Sequence, residues 1–136
     1  MSLISLEEIA ATVILFAWII FIVRFLTKKV YNAMMKRNFA CNVAIYYNRK
    51  IIHILAGGFV AFLVPLIFKT PILPFSMALL LAVLTYIPHR TGNLMYWFQV
   101  EENMYEVSFC VMWGLIIALG WLVSEGNFWF GVLPVL

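Results

Sequence analysis

Four apolar windows dominate this chain, at about residues 9–26, 51–68, 72–88 and 107–123. Each window is long enough to cross the hydrocarbon core of a bilayer as an α-helix, which needs roughly 20 predominantly apolar residues. Only helices and closed barrels satisfy every backbone polar group inside lipid, and continuous apolar windows of this length are typical of helices. The sequence therefore predicts an all-α, polytopic membrane protein with four transmembrane helices.

Composition and the C-terminal residues complete this prediction. Hydrophobic residues make up 65% of the 136 residues and charged residues 11%, which excludes a soluble domain of ordinary make-up. A further apolar segment, residues 128–136, is too short to cross a bilayer. We expect it to be a partial or interfacial segment, or a helix cut short. Residues 1–136 are predicted to form a single membrane domain.

Basic residues are concentrated in the linker between the first two windows. Seven of the nine Lys and Arg residues lie between Arg24 and Lys50, and this stretch contains no acid. The positive-inside rule predicts that it is cytoplasmic. The first window is predicted to be a membrane anchor and not a cleaved signal peptide, since Glu7 and Glu8 precede it, a cationic region before it is missing, and cations follow it from Arg24 onward. Its N-terminus is therefore expected outside. A basic run between two apolar segments indicates anionic lipid headgroups as its partner, and we expect no nucleic acid.

Ionisable residues open the second window. Arg49, Lys50 and His53 precede Gly57 at intervals of three and four residues, so in a helix they would share one stripe. Ionisable groups in membrane segments are costly and tend to be functional. Basic residues at this position are also typical of a membrane flank, where their side chains snorkel to the interface. Gly57 is likewise typical of close helix packing.

A second polar group lies between the third and fourth windows, in residues 89–106. Alternation of the helices places it on the same cytoplasmic face as Arg49 and His53. Within it, Glu102 and Glu106 are four residues apart and would share a helix face at the start of the fourth window. Two such carboxylates could hold a hydrated Mg²⁺ ion, or could form the acidic first turn of a helix.

The string RKIIHILAG at residues 49–57 resembles the R-K-x-x-H-x-x-x-G signature of the polyprenol kinase family, which includes dolichol, phytol and farnesol kinases. A looser resemblance covers the acidic segment at residues 101–106 and the aromatic-rich helix that follows. Together the two span residues 49 to about 115. Members of this family transfer the γ-phosphate of a nucleoside triphosphate, typically CTP, to the hydroxyl of a long isoprenoid alcohol.

The resemblance implies roles for individual residues. Arg49, Lys50 and His53 would be catalytic, with Arg49 and Lys50 also binding phosphate oxygens of the nucleotide. His53 would orient or deprotonate the alcohol hydroxyl. Glu102 or Glu106 would help to bind Mg²⁺, and the apolar faces of the second to fourth helices would hold the isoprenoid tail. The cofactors CTP and Mg²⁺ follow from the resemblance alone.

The family pattern is incomplete in this chain. The C-terminal half of the family carries a G-D-x-x-A signature associated with nucleotide and metal, and this sequence has neither that motif nor any Asp. The chain is therefore interpreted as a fragment, a subunit of a split enzyme, or a relative without catalysis, and is not expected to phosphorylate anything alone. A partner would pack against residues 107–136, where Gly114, Gly120 and Gly131 permit close approach. The alternative is a non-catalytic small membrane subunit or a lipid-binding scaffold.

Overall fold

The structure, a computed structural model, describes residues 4–136 and is 78% helical. Within these residues there is no β-strand. Four helices are long and apolar enough to cross a membrane, and a short fifth helix follows them. The helices are α1 (Leu6–Lys36), α2 (Cys41–Ile67), α3 (Ile72–Thr91), α4 (Tyr105–Val123) and α5 (Trp129–Val135). The chain is an all-α, polytopic integral membrane protein, which confirms the predicted fold class.

Helix α1 begins at a capping box. The Ser5 Oγ accepts the backbone N–H of Glu8 at 3.2 Å, and the Glu8 carboxylate accepts the backbone N–H of Ser5 at 2.9 Å. The other carboxylate oxygen of Glu8 accepts the backbone N–H of Lys69 at 2.8 Å. These bonds satisfy a buried carboxylate, and they place the start of α1 and the turn between α2 and α3 at the same end of the bundle.

The first two helices extend well beyond their apolar windows, so the basic linker is a helical hairpin. Residues 27–36 of α1 pack against residues 41–51 of α2. The sequence has neither Gly nor Pro between Thr27 and Lys50, and the helix is interrupted only near Asn38, which has a left-handed φ of 62°. At about 1.5 Å per residue, the 31 residues of α1 span roughly 46 Å. This exceeds the ~30 Å hydrocarbon core, so the basic end projects beyond it.

Both long helices contain a π-helical segment, Ile22–Leu26 in α1 and Ile52–Gly58 in α2. The two segments pack against each other. A π turn bonds residue i to residue i+5, which leaves backbone groups without their usual α-helical partners. Inside lipid such groups need partners from elsewhere in the protein.

Tryptophan side chains supply those partners. Three indole N–H groups donate to backbone carbonyls of the two π segments. The pairs are Trp97 to Val23 at 2.7 Å, Trp18 to Leu55 at 3.0 Å and Trp113 to Gly57 at 3.1 Å. Each tryptophan comes from outside the segment it contacts, so tertiary contacts stabilise the π turns.

The C-terminal apolar segment forms α5, which packs against α4 and the end of α2. Its contact with α4 is a glycine crossing: a Cβ added to Gly131 would lie 2.9 Å from the Ile117 Cα, and one added to Gly120 would meet the Gly131 backbone. A Cβ at Gly114 would meet the side chain of Ala78 in α3 at 2.9 Å. The glycines predicted to receive a partner are therefore used within this chain.

Candidate functional site

The loop between α3 and α4 folds back onto α2. It begins after Gly92, which ends α3 with a left-handed φ of 80°, and its Trp97 and Phe98 side chains are buried. The fully buried Asn48 donates from Nδ2 to the Trp97 carbonyl at 2.7 Å. Next to it, Arg49 donates from Nε to the Phe98 carbonyl at 2.8 Å. The loop therefore closes the hairpin end of the four-helix bundle.

Arg49 also joins this loop to α4. Its Nη2 donates to the Asn103 Oδ1 at 3.2 Å and lies 3.8 Å from the Glu106 Oε2. The side chains of Arg49 and Glu106 are 23% and 10% exposed, so the ion pair is largely removed from water. A planar guanidinium reaches these groups at once through its fixed fork of N–H donors.

The carboxylate of Glu106 is held from the opposite side as well. Its Oε1 is hydrogen-bonded to the His89 Nε2 and accepts a bond from the Gln99 Nε2 at 3.1 Å. Gln99 is only 2% exposed, and its Nε2 also donates to the Thr85 carbonyl at 2.9 Å. Contacts from α3 and the loop therefore fix the direction of this carboxylate.

His53 lies one turn further into the bundle than Arg49, inside the second π segment. Its imidazole stacks on the Phe109 ring of α4, with ring centroids 4.1 Å apart and planes at 11°. The side chain remains exposed beside this stack. A Cβ at Gly57 would meet the Phe109 ring at 2.8 Å, so this glycine makes room for the aromatic partner of His53.

Arg49, His53 and Glu106 line the polar end of an otherwise apolar cavity between the four long helices. Every long helix contributes to its wall, for example through Ile19, Ala56, Met77 and Trp113. Its volume of about 80 Å³ exceeds the roughly 10–15 Å³ that holds one water molecule. An apolar wall with a few convergent polar groups is typical of the lining of small-molecule sites, but about 80 Å³ holds only the head of a lipid and not its whole chain.

Lys50 lies outside this cavity. Its Nζ sits 5.4 Å from the centroid of the Tyr46 ring on the exposed side of α2. Successive residues of a helix point about 100° apart, so Lys50 cannot follow Arg49 into the bundle. The predicted stripe therefore holds for Arg49, His53 and Gly57, which all line the cavity, and does not hold for Lys50.

The predicted pairing of Glu102 with Glu106 rested on a shared helix face that is not present. Helix α4 begins at Tyr105, so Glu102 belongs to the loop. It lines a separate polar cavity of about 340 Å³, together with Glu101. Among residues 4–136, no group of three His, Cys, Asp or Glu side chains is placed to hold a metal ion. The two glutamates therefore do not share the helix face on which the predicted magnesium site was based.

Sequence reasoning missed the residues that support the site. Asn48 precedes the motif directly, and its burial was not evident from a stretch rich in polar and basic residues. Thr85 belongs to the third apolar window, and a backbone carbonyl such as that of Phe98 gives no signal in a sequence. All three matter because they hold or join Arg49 and Glu106 through the folded loop.

Comparison of this chain with protein-family models, with curated proteins and with solved structures finds no match. The resemblance to the polyprenol kinase family therefore stays a prediction. It is carried by the motif at residues 49–57 and by the looser likeness at residues 101–106.

Proposed function

We propose that this chain supplies the acceptor-lipid site of a polyprenol kinase. It binds a long-chain isoprenoid alcohol between its helices and presents the hydroxyl at the hairpin end, where CTP would be the phosphate donor. The observation that carries this proposal is the cavity itself, which has Arg49, His53 and Glu106 at one end and apolar walls elsewhere. An isoprenoid alcohol matches this arrangement, because it has a polar head and an apolar tail.

The roles follow the chemistry of phosphoryl transfer, which depends on positioning and on neutralising charge. Arg49 has five N–H donors, and two of its nitrogens hold the loop at Phe98 and Asn103. Its remaining donors are available to phosphate oxygens. His53 is carried over from the family motif as the group that acts on the hydroxyl. The apolar tail would extend from the cavity along the helices.

A cavity-filling variant tests the ligand site. Ala56→Leu adds three carbon atoms at a buried position in the cavity wall, and we expect it to lower labelling by a photoactivatable isoprenoid alcohol about fivefold or more. Overpacking of this kind costs about 1–3 kcal/mol, and about 1.4 kcal/mol corresponds to a tenfold change in affinity. The measurement is photolabelling of the purified chain in lipid nanodiscs, with unlabelled alcohol as competitor.

The matched control is Ile54→Phe, which adds volume to the same π segment at a site that is 65% exposed and outside the cavity. It should leave labelling unchanged. Equal labelling of both variants and the wild type would contradict the proposed site. Competable labelling without phosphorylation in any assembly would instead favour the lipid-binding scaffold.

We propose further that the hairpin end is cytoplasmic. The Glu8–Lys69 bond defines one end of the bundle, and the contact of Arg49 with Phe98 defines the other. The excess of cations between Arg24 and Lys50 supports the cytoplasmic assignment of the second end. Residues 1–3, and with them the N-terminus predicted to be outside, lie beyond the described residues.

Thiol labelling of intact cells tests this orientation. In a Cys110→Ala background, a membrane-impermeant maleimide should not modify the exposed Cys41 and should modify a Thr70→Cys variant. The two positions belong to opposite ends of the bundle, so they report on opposite membrane faces. Permeabilised cells, in which Cys41 becomes reactive, are the control. Ready labelling of Cys41 from outside would invert the proposed topology.

A further inference from the structure

The two carboxylate oxygens of Glu106 have different surroundings. Oε1 is hydrogen-bonded to His89 and Gln99, whereas Oε2, though buried, has no hydrogen-bond partner within residues 4–136. Its nearest cationic atom, the Arg49 Nη2, is 3.8 Å away, which is beyond hydrogen-bond distance. Leaving a buried acceptor without a donor costs free energy, so a ligand that donates a hydrogen bond to this oxygen would be bound favourably.

Glu106 and Arg49 both line the polar end of the apolar cavity. An oxygen atom about 2.8 Å from each would bridge atoms that are 3.8 Å apart, and it would reach the buried Oε2 only after a shift of neighbouring side chains. Such an atom must donate a hydrogen bond to the carboxylate and accept one from the guanidinium. A hydroxyl does both, as a water molecule does, whereas a carboxylate or fully ionised phosphate only accepts and an ammonium only donates. Among the head groups of lipids, the hydroxyl of an alcohol therefore fits this pair of partners.

We infer that Glu106 is the specificity-determining residue of this cavity, and that it binds the uncharged hydroxyl of the lipid through Oε2, with Arg49 as the second partner of the same oxygen. The inference rests on the proposed function and deepens it, because it adds Glu106 as the residue that binds the hydroxyl on which His53 is proposed to act. It also explains discrimination against the phosphorylated lipid. A dianionic head would face the fixed negative charge of Glu106, so the product of the reaction would be bound more weakly than the alcohol.

Three probes with the same tail test whether Glu106 selects an uncharged hydroxyl: geranylgeraniol, its methyl ether and its monophosphate. The wild-type chain in nanodiscs should bind the alcohol at least about tenfold more tightly than the other two, since a hydrogen bond to a charged group contributes about that much. In Glu106→Gln the preference for the alcohol over the ether should fall to about twofold, and binding of the monophosphate should increase. The matched control, Glu102→Gln, removes a carboxylate from the separate cavity and should leave all three affinities unchanged.

The outcomes separate this inference from the proposed function. If the wild-type chain binds none of the three probes, the proposed function fails and the inference with it. If it binds the alcohol and the ether equally, the lipid site stands and the role of Glu106 is wrong; this comparison needs no variant, so it holds even where Glu106→Gln does not fold. If His53→Gln abolishes the preference and Glu106→Gln does not, the hydroxyl belongs to His53.

Discussion

Arg49→Lys is expected to lower prenol phosphorylation about a hundredfold in an assembly that supports turnover. Arg49 donates to the Phe98 carbonyl and to Asn103 while lying 3.8 Å from the Glu106 carboxylate. A lysine ammonium keeps the charge but loses the planar fork that reaches several acceptors at once. Removal of one preorganised donor from a transition-state site typically costs about 10²–10³ in rate. The measurement is transfer of labelled γ-phosphate from CTP to a prenol in membranes.

The neighbouring cation supplies the control. Lys50→Gln removes a full charge one residue away, but Lys50 lies over the Tyr46 ring and outside the cavity. The phosphorylation activity of this variant should stay within about twofold of the wild type, because exposed charges outside a site contribute little to its energetics. Equal losses in both variants would show that the two cations act only as a membrane flank. Full activity of Arg49→Lys would show that the guanidinium of Arg49 has no role in phosphoryl transfer.

Gly131→Ala is expected to separate α5 from α4. The added Cβ would lie 2.9 Å from the Cα and 3.0 Å from the carbonyl oxygen of Ile117. These are backbone atoms, which cannot move aside as a flexible side chain can. We expect the free energy of unfolding to fall by about 1–3 kcal/mol, the usual cost of overpacking a well-packed interface. Equilibrium unfolding of the chain in mixed micelles with a denaturing detergent measures this loss.

A second helical glycine, which lies outside the crossing of α4 and α5, is the control for this variant. In Gly58→Ala the nearest atom to the new Cβ outside its immediate neighbours is the His53 carbonyl oxygen of the same helix, at 3.5 Å. This is an ordinary contact, so the free energy of unfolding should change by no more than about 0.5 kcal/mol. If Gly131→Ala were equally neutral, the tight crossing of α4 and α5 would be wrong.

The membrane-spanning part of the fold could be predicted from the sequence, because a continuous apolar segment satisfies its backbone hydrogen bonds in a bilayer as an α-helix. Apolar windows mark only the residues inside the bilayer, however, so they did not predict the helical hairpin of residues 27–51. The π segments have no local signature either. Their carbonyls are satisfied by tryptophans from other elements, such as Trp97 and Trp113, and only the tertiary structure brings these together.

The site was predictable to the same extent. Arg49 and His53 were predicted from the motif, and Glu106 from its place at the start of the fourth apolar window; the structure brings all three to one cavity. What the sequence did not provide is the course of the loop that joins them. The contact of Asn48 with the Trp97 carbonyl links residues 49 positions apart, and it holds the loop beside Arg49. Spacing within one helix carries no information about such a contact.

The paired π segments also set the angular phase of the two longest helices. An α-helix advances about 100° per residue, so a π turn acts as one inserted residue and rotates everything beyond it by about that angle. The segments Ile22–Leu26 and Ile52–Gly58 lie against each other, so α1 and α2 change phase at the same depth. On both helices the residues of the hairpin are therefore out of phase, by about 100°, with the residues of the membrane core. Removal of a single residue from the second segment would turn Arg49 away from Glu106 while leaving the packing of Val60 and Val64 in place.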